Sequence, residues 1–103
     1  MIFTESVVFT RQVRELLSDE LYADFQRYLA QCPEAGDVIR DTGGLRKVRW
    51  AMPGRGKSGG VRVIYYHVSE KKQVRLLLIY RKGLKDDLTP EEKQVLRKIN
   101  QNW

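Results

Sequence analysis

The chain has 103 residues, 42% of them hydrophobic and 31% charged, and a formal net charge of +6. That length supports one hydrophobic core, which excludes a multidomain assembly, and the positive balance turns attention to anionic partners. The one cysteine, Cys32, excludes an internal disulfide, and the one histidine, His67, leaves a zinc site or a two-histidine nuclease without its ligands or partners. With no charged-then-apolar leader and no long apolar span, the expectation is a single cytoplasmic domain, residues 1–103, without a membrane partner. In it Cys32 is a small buried or semi-buried thiol, and His67 packs or hydrogen-bonds at a strand end.

Residues 2–5 suit a short strand, after which Phe9, Val13, Leu16 and Leu17 recur at helical spacing to about residue 17. Ser18 stands as the cap of a second helix, with Asp19 and Glu20 in the first turn, where the helix dipole favours negative charge. Leu21, Phe25, Tyr28 and Leu29 give that helix an apolar stripe that reads as core, and Pro33 ends it. GDVIRDTGG, residues 36–44, is a connector closed by two glycines.

From LRKVRWAM onward the period becomes two. Arg46, Val48, Trp50 and Met52 share a largely apolar face, and Leu45, Lys47, Arg49 and Ala51 share a cationic one. In the next strand Val61, Val63 and Tyr65 lie opposite Arg62, Ile64 and Tyr66. SEKKQ turns the chain into VRLLLIYR, apolar on both faces as a central strand is. Thr89, Pro90 and Glu92 then form a capping box ahead of a helix whose apolar side is Val95, Leu96 and Ile99. The predicted fold class is α+β: a small antiparallel sheet packed against two N-terminal helices, with a C-terminal helix.

The charge is unevenly placed along these elements. Residues 46–85 hold twelve lysines and arginines against one acid, Glu70, whereas the first 45 residues carry a net −4 and residues 86–103 a net −1. Strands and loops that basic concentrate positive potential on one side of a small protein, as phosphate binding requires. Within the segment, AMPGRGKS ends like a phosphate-cradling P-loop. Ala51 stands where the pattern wants glycine, however, and a strand rather than a helix follows Ser58, so the phosphates it suits are those of a polymer.

Taken together, GDVIRDTGGLRKVRWAMPGRGKSGGVRVIYYHV and VRLLLIYRKGLKDDLT resemble the RelE/HigB superfamily of bacterial toxin ribonucleases, most closely its HigB-like branch, through GGLRK, GRGK, GGVRVIYY and the strand end IYRK. The resemblance implies a RelE-like microbial ribonuclease fold, cleavage of mRNA on the translating ribosome, and inhibition by a cognate antitoxin, a HigA-like DNA-binding protein. It places Arg62 as the arginine that stabilises charge on the cleaved phosphate, and Lys57 where a lysine helps activate the ribose 2′-hydroxyl. Lys82 falls near an arginine that assists the leaving group. Leu88 stands in place of a tyrosine, which makes Tyr80, on the face of Lys82, the substitute.

The residue types suit that chemistry. RNA carries its own nucleophile, so the enzyme aligns the 2′-oxygen, moves two protons and stabilises one extra charge, a task for the permanently charged, planar guanidinium. A lysine serves as base only if neighbouring cations lower its pKa. Neither metal nor cofactor is needed. Lys47, Arg49, Arg55, Arg81 and Lys85 are the expected RNA-binding cations, while two or three of the four rings of Trp50, Tyr65, Tyr66 and Tyr80 are expected in the core. Asp86 and Asp87 read as surface or helix N-terminal charge. The competing reading is a non-catalytic RNA- or ribosome-binding module. A DNA-binding regulator ranks last, because the N-terminal helices are acidic.

Overall fold

The computed structural model describes residues 1–51, 60–83 and 87–103. Their order is β1 (Ile2–Glu5), α1 (Val7–Leu16), α2 (Asp19–Gln31), β2 (Asp37–Val38), β3 (Arg46–Trp50), β4 (Val61–Val68), β5 (Gln73–Arg81) and α3 (Pro90–Gln101). The five strands form one sheet in the order β1-β5-β4-β3-β2. Three of the pairings are antiparallel, as short connections dictate; the fourth, β1 with β5, is parallel, because α1 through β4 intervene between those two strands. The two-residue strand β2 lies inside the predicted connector, where both of its residues are exposed and leave no hydrophobic signature.

Each helix starts where a side chain can satisfy its free amides. Ser6 caps α1 by accepting from the Phe9 amide, Ser18 caps α2 by accepting from Leu21, and Thr89 with Glu92 forms the reciprocal capping box of α3. Helices α1 and α2 bury Phe9, Val13, Leu17, Phe25 and Leu29 against Val48, Val63, Tyr65 and Leu76 on one face of the sheet. Leu96 of α3, with Leu88, covers Leu45, Ile64 and Leu77 on the other.

A β-bulge decides what the C-terminal half of β5 presents. Ile64 pairs with Leu78 and Tyr65 with Leu76, leaving Leu77 as the extra residue. Val74 and Leu76 therefore face α1 and α2, Leu77 and Leu78 both face α3, and beyond them Ile79 returns to the first core while Tyr80 joins the second. Ser6 fastens this point, its amide donating to the Leu76 carbonyl (2.9 Å) and its hydroxyl to that of Leu77 (2.7 Å). The β4–β5 connection is a single 3₁₀ turn, Ser69–Lys71, closed by Lys72 in the left-handed region at φ 49°.

Tyr65 holds the loop after α2. Its hydroxyl donates to the Pro33 carbonyl (2.8 Å) and accepts from the Gly36 amide (2.9 Å), and a Cβ on Gly36 would lie 2.9 Å from the Lys47 backbone and the Tyr65 ring alike. Arg46, opposite Tyr65, adds a bond to the Gly36 carbonyl at 2.7 Å. Cys32 corrects an expectation: it is the exposed C-cap residue of α2, because the chain leaves the core as the helix ends. His67 is half-buried near the end of β4.

Candidate active site

The basic residues are sorted by strand geometry. Successive residues of a strand point to opposite faces and directly paired residues share one, so Lys47, Arg49, Arg62 and Tyr80 come to the α3 face through the pairs Lys47 with Ile64, Arg49 with Arg62, and Arg62 with Tyr80. Lys82 follows two residues after Tyr80 and is pinned by its amide, which donates to the Gly60 carbonyl (3.1 Å). Gly60 permits the approach of β3 and β4 here, since a Cβ would stand 3.0 Å from the Trp50 carbonyl oxygen.

The result is a cleft of about 330 Å³ lined by Arg49, Trp50, Ala51, Gly60, Arg62 and Lys82. Three cations line it and, among the described residues, no carboxylate. Like charges directly opposite one another on a sheet repel, and the Arg49–Arg62 pair is such an arrangement. An anion between them would remove the repulsion, and two guanidinium groups offer the planar donor arrays that phosphate oxygens accept.

Tyr80 sits differently from an open stacking platform. It is 8% exposed, within the core under α3, and its buried hydroxyl has no hydrogen-bond partner among the described residues. Burial pushes the phenol's pKa up, the Arg62 charge draws it partly back, and Asp87 adds to the rise. The phenol stays protonated at neutral pH, and it stands directly across from Arg62, whose guanidinium can donate only to the hydroxyl oxygen. Leu88 is buried in the same core and offers no surface to a base.

The other rings are mostly structural. Trp50 packs edge-on to Phe25 with centroids 5.5 Å apart and lies 5.3 Å from Tyr28, Tyr65 is fully buried, and Tyr66 packs against the α3-side core and beneath Arg75. Arg81 separates from the cleft: it is exposed, paired with Val61, and so on the α1–α2 face. Lys57, Arg55 and Lys85 lie outside the described residues, as does the ending of the P-loop-like stretch. That stretch joins adjacent antiparallel strands, so the element entered after Gly60 is β4 and not a helix.

Lys47 extends the basic strip, with its Nζ 3.4 Å from Asp87 Oδ1. Among the described residues no group of three or more His, Cys, Asp and Glu side chains is gathered to hold a metal ion, and no helix is long and apolar enough to cross a membrane.

Comparison with known proteins agrees with the geometry. A family described as the RelE toxin of the RelE/RelB toxin–antitoxin system matches residues 5–103. Among solved structures, the isolated RelE toxin of E. coli superposes with a TM-score of 0.55 at 14% identity, covering 95% of this chain and 97% of that one, which establishes a shared fold.

Proposed function

Because the chain belongs to the RelE toxin family, and is thus the toxin of a toxin–antitoxin pair, we propose that it arrests translation as a ribosome-dependent mRNA endoribonuclease. The observation that carries this reading is the opposed pair Arg49 and Arg62 with Lys82 in a cleft that no described carboxylate lines. A phosphodiester seated there presents its non-bridging oxygens to two guanidinium groups. The adjacent 2′-oxygen then attacks phosphorus, the P–O5′ bond breaks, and the products are a 2′,3′-cyclic phosphate and a 5′-hydroxyl.

Arg62 and Arg49 stabilise the charge that grows on the phosphorane, where fixed donors act most strongly. Lys82, on the same face, supplies the proton for the leaving 5′-oxygen, and Lys57 is the candidate that takes the proton from the 2′-hydroxyl. Tyr80 supports Arg62 from across the strand pair. Lys47 and Arg49 bind the RNA on this face, with Arg55 and Lys85 added from the flanking segments and Arg81 a more distant contributor. The nucleophile belongs to the substrate, so the step needs no metal-activated water, and DNA, lacking the 2′-hydroxyl, is not cut. The antitoxin is a HigA-like DNA-binding protein, and the site of action is the cytoplasm.

The test adds the protein, and separately its Arg62→Ala and Arg62→Lys variants, to a translating cell-free extract and to purified mRNA without ribosomes, with RNA ends mapped by primer extension. Cuts that need ribosomes and fall at least about a hundredfold in both variants are expected, since losing one transition-state donor costs about that much. Arrested translation over intact mRNA, or equal action of all three proteins, would instead mark a binding module.

A further inference from the structure

A second cleft opens beside the first, and Arg49 lines both. Its volume is about 520 Å³, ample for one nucleotide, and Tyr28, Asp37, Lys47, Arg49 and Asp87 are among its lining residues. Unlike its neighbour it carries both signs of charge. Lys47 Nζ lies 3.4 Å from Asp87 Oδ1, and Asp37 stands directly opposite Lys47 in the β2–β3 register. Two carboxylates repel a phosphate, but a donor set next to acceptors is what the edge of a nucleobase matches.

We propose that this cleft is a base-reading subsite beside the scissile phosphate, and that it takes guanine. The proposal rests on the endoribonuclease reading. Guanine is the RNA base whose Watson–Crick edge runs from an acceptor, O6, to two adjacent donors, N1–H and the 2-amino group. The Lys47 ammonium donates to O6, and the two oxygens of the Asp87 carboxylate accept the paired donors. Adenine and cytosine each offer a single amino donor beside a ring acceptor, and uracil would set its O2 against the carboxylate.

The surroundings favour this use. The Lys47 side chain is only 28% exposed, so its stem packs against the protein and limits where the ammonium reaches, while that of Asp87 is 87% exposed. Exchanging so exposed an ion pair for contacts to a base costs little. Tyr28 packs on Trp50 yet remains 37% exposed at the cleft, which leaves ring surface for a base to stack on. Arg49, shared by the two clefts, places the subsite one nucleotide from the cut.

The experiment programs purified ribosomes with a set of mRNAs that differ only in the nucleotides flanking one cut site, each being G, A, C, U or inosine, the last lacking the 2-amino group. Cutting by the unmodified protein and by Asp87→Asn is mapped by primer extension. At one fixed position guanine is expected to exceed uracil by about tenfold, the discrimination a paired hydrogen bond gives, with inosine well below guanine. In Asp87→Asn the guanine-to-uracil ratio falls to within about twofold. Equal cutting of all five, or a guanine preference unchanged by inosine and by Asp87→Asn, overturns the subsite while the cutting itself upholds the nuclease. No cutting of any message by the unmodified protein removes both.

Discussion

Three phenols, Tyr22, Tyr65 and Tyr80, are held against ionisation chiefly by burial. Tyr22 is the most constrained, because its hydroxyl also donates to the Glu5 carboxylate, which accepts a second bond from Thr10 Oγ1 at 2.6 Å. A phenol whose pKa is raised by folding binds its proton more tightly in the native state than in the unfolded one. Its contribution to stability is therefore complete below the unfolded value of about 10 and is lost as pH rises above it. Tyr22→Phe is expected to lower stability at pH 7 by about 1–3 kcal/mol, because a part-buried hydrogen bond to a carboxylate is lost. Above pH 10 the parent protein loses up to about 1.4 kcal/mol per pH unit through this ring and the variant does not, so the two stabilities converge. Urea denaturation at pH 7 and pH 11 reads both effects, and a gap that stays constant with pH would show that Tyr22 titrates normally. The same scale shows what a sequence tells about single residues. Alternation placed Lys47 and Arg49 on a cationic face, but that Arg49 would stand opposite Arg62 depended on the β3–β4 register, which no local pattern encodes.

Elements announce themselves through their ends and periods, and those that lack either were invisible. Ser18 and the Thr89–Glu92 box carry helix α2 and helix α3 in plain view, because capping is chemistry between residues three apart. β2 has two exposed residues and no period, and the parallel pairing of β1 joins positions some seventy residues apart. The bulge at Leu77 hid in the run VRLLLIYR, where apolar residues on both faces mask a change of phase. That bulge fixes the face that Tyr80 and Lys82 share with Arg62. Helix α3 has its own anchor: Arg75 Nη1 donates to the Asn100 carbonyl (3.1 Å) and to its Oδ1 (3.0 Å), and the guanidinium lies 5.7 Å from the ring centroids of both Tyr66 and Trp103. Arg75→Ala removes two charge-assisted bonds and two cation–π contacts at once. The last turn of α3 is expected to exchange its amide hydrogens at least about tenfold faster, while the α1 amides are unchanged. A uniform acceleration across the chain would mean that Arg75 contributes to global stability and not to a local anchor.

At the scale of the whole molecule, the net charge of +6 is a poor guide to how nucleic acid is held, because position decides which cations release counterions. Arg49 and Arg81 make the comparison clean: both are exposed arginines at strand ends, one in the cleft on the α3 face and the other paired with Val61 on the α1–α2 face. Replacing either by alanine removes the same charge and changes the long-range field of the protein almost equally. If binding responded to net charge, the two variants would weaken it alike. If the cleft and its flanking strip are the track of the RNA, only Arg49 touches phosphate. Arg49→Ala should then flatten the dependence of log Kd on log salt by about 0.7, the increment for one phosphate contact of a single strand, and Arg81→Ala by much less. A 2′-O-methyl oligonucleotide serves as the ligand, since it cannot be cut and reports binding alone, titrated by fluorescence anisotropy between about 50 and 200 mM salt. Equal slopes for the two variants would move the RNA track off the α3 face, and with it the roles assigned to Arg62 and Lys82. A smaller slope for Arg49→Ala alone would tie the binding surface to the same cleft that the opposed Arg49 and Arg62 line.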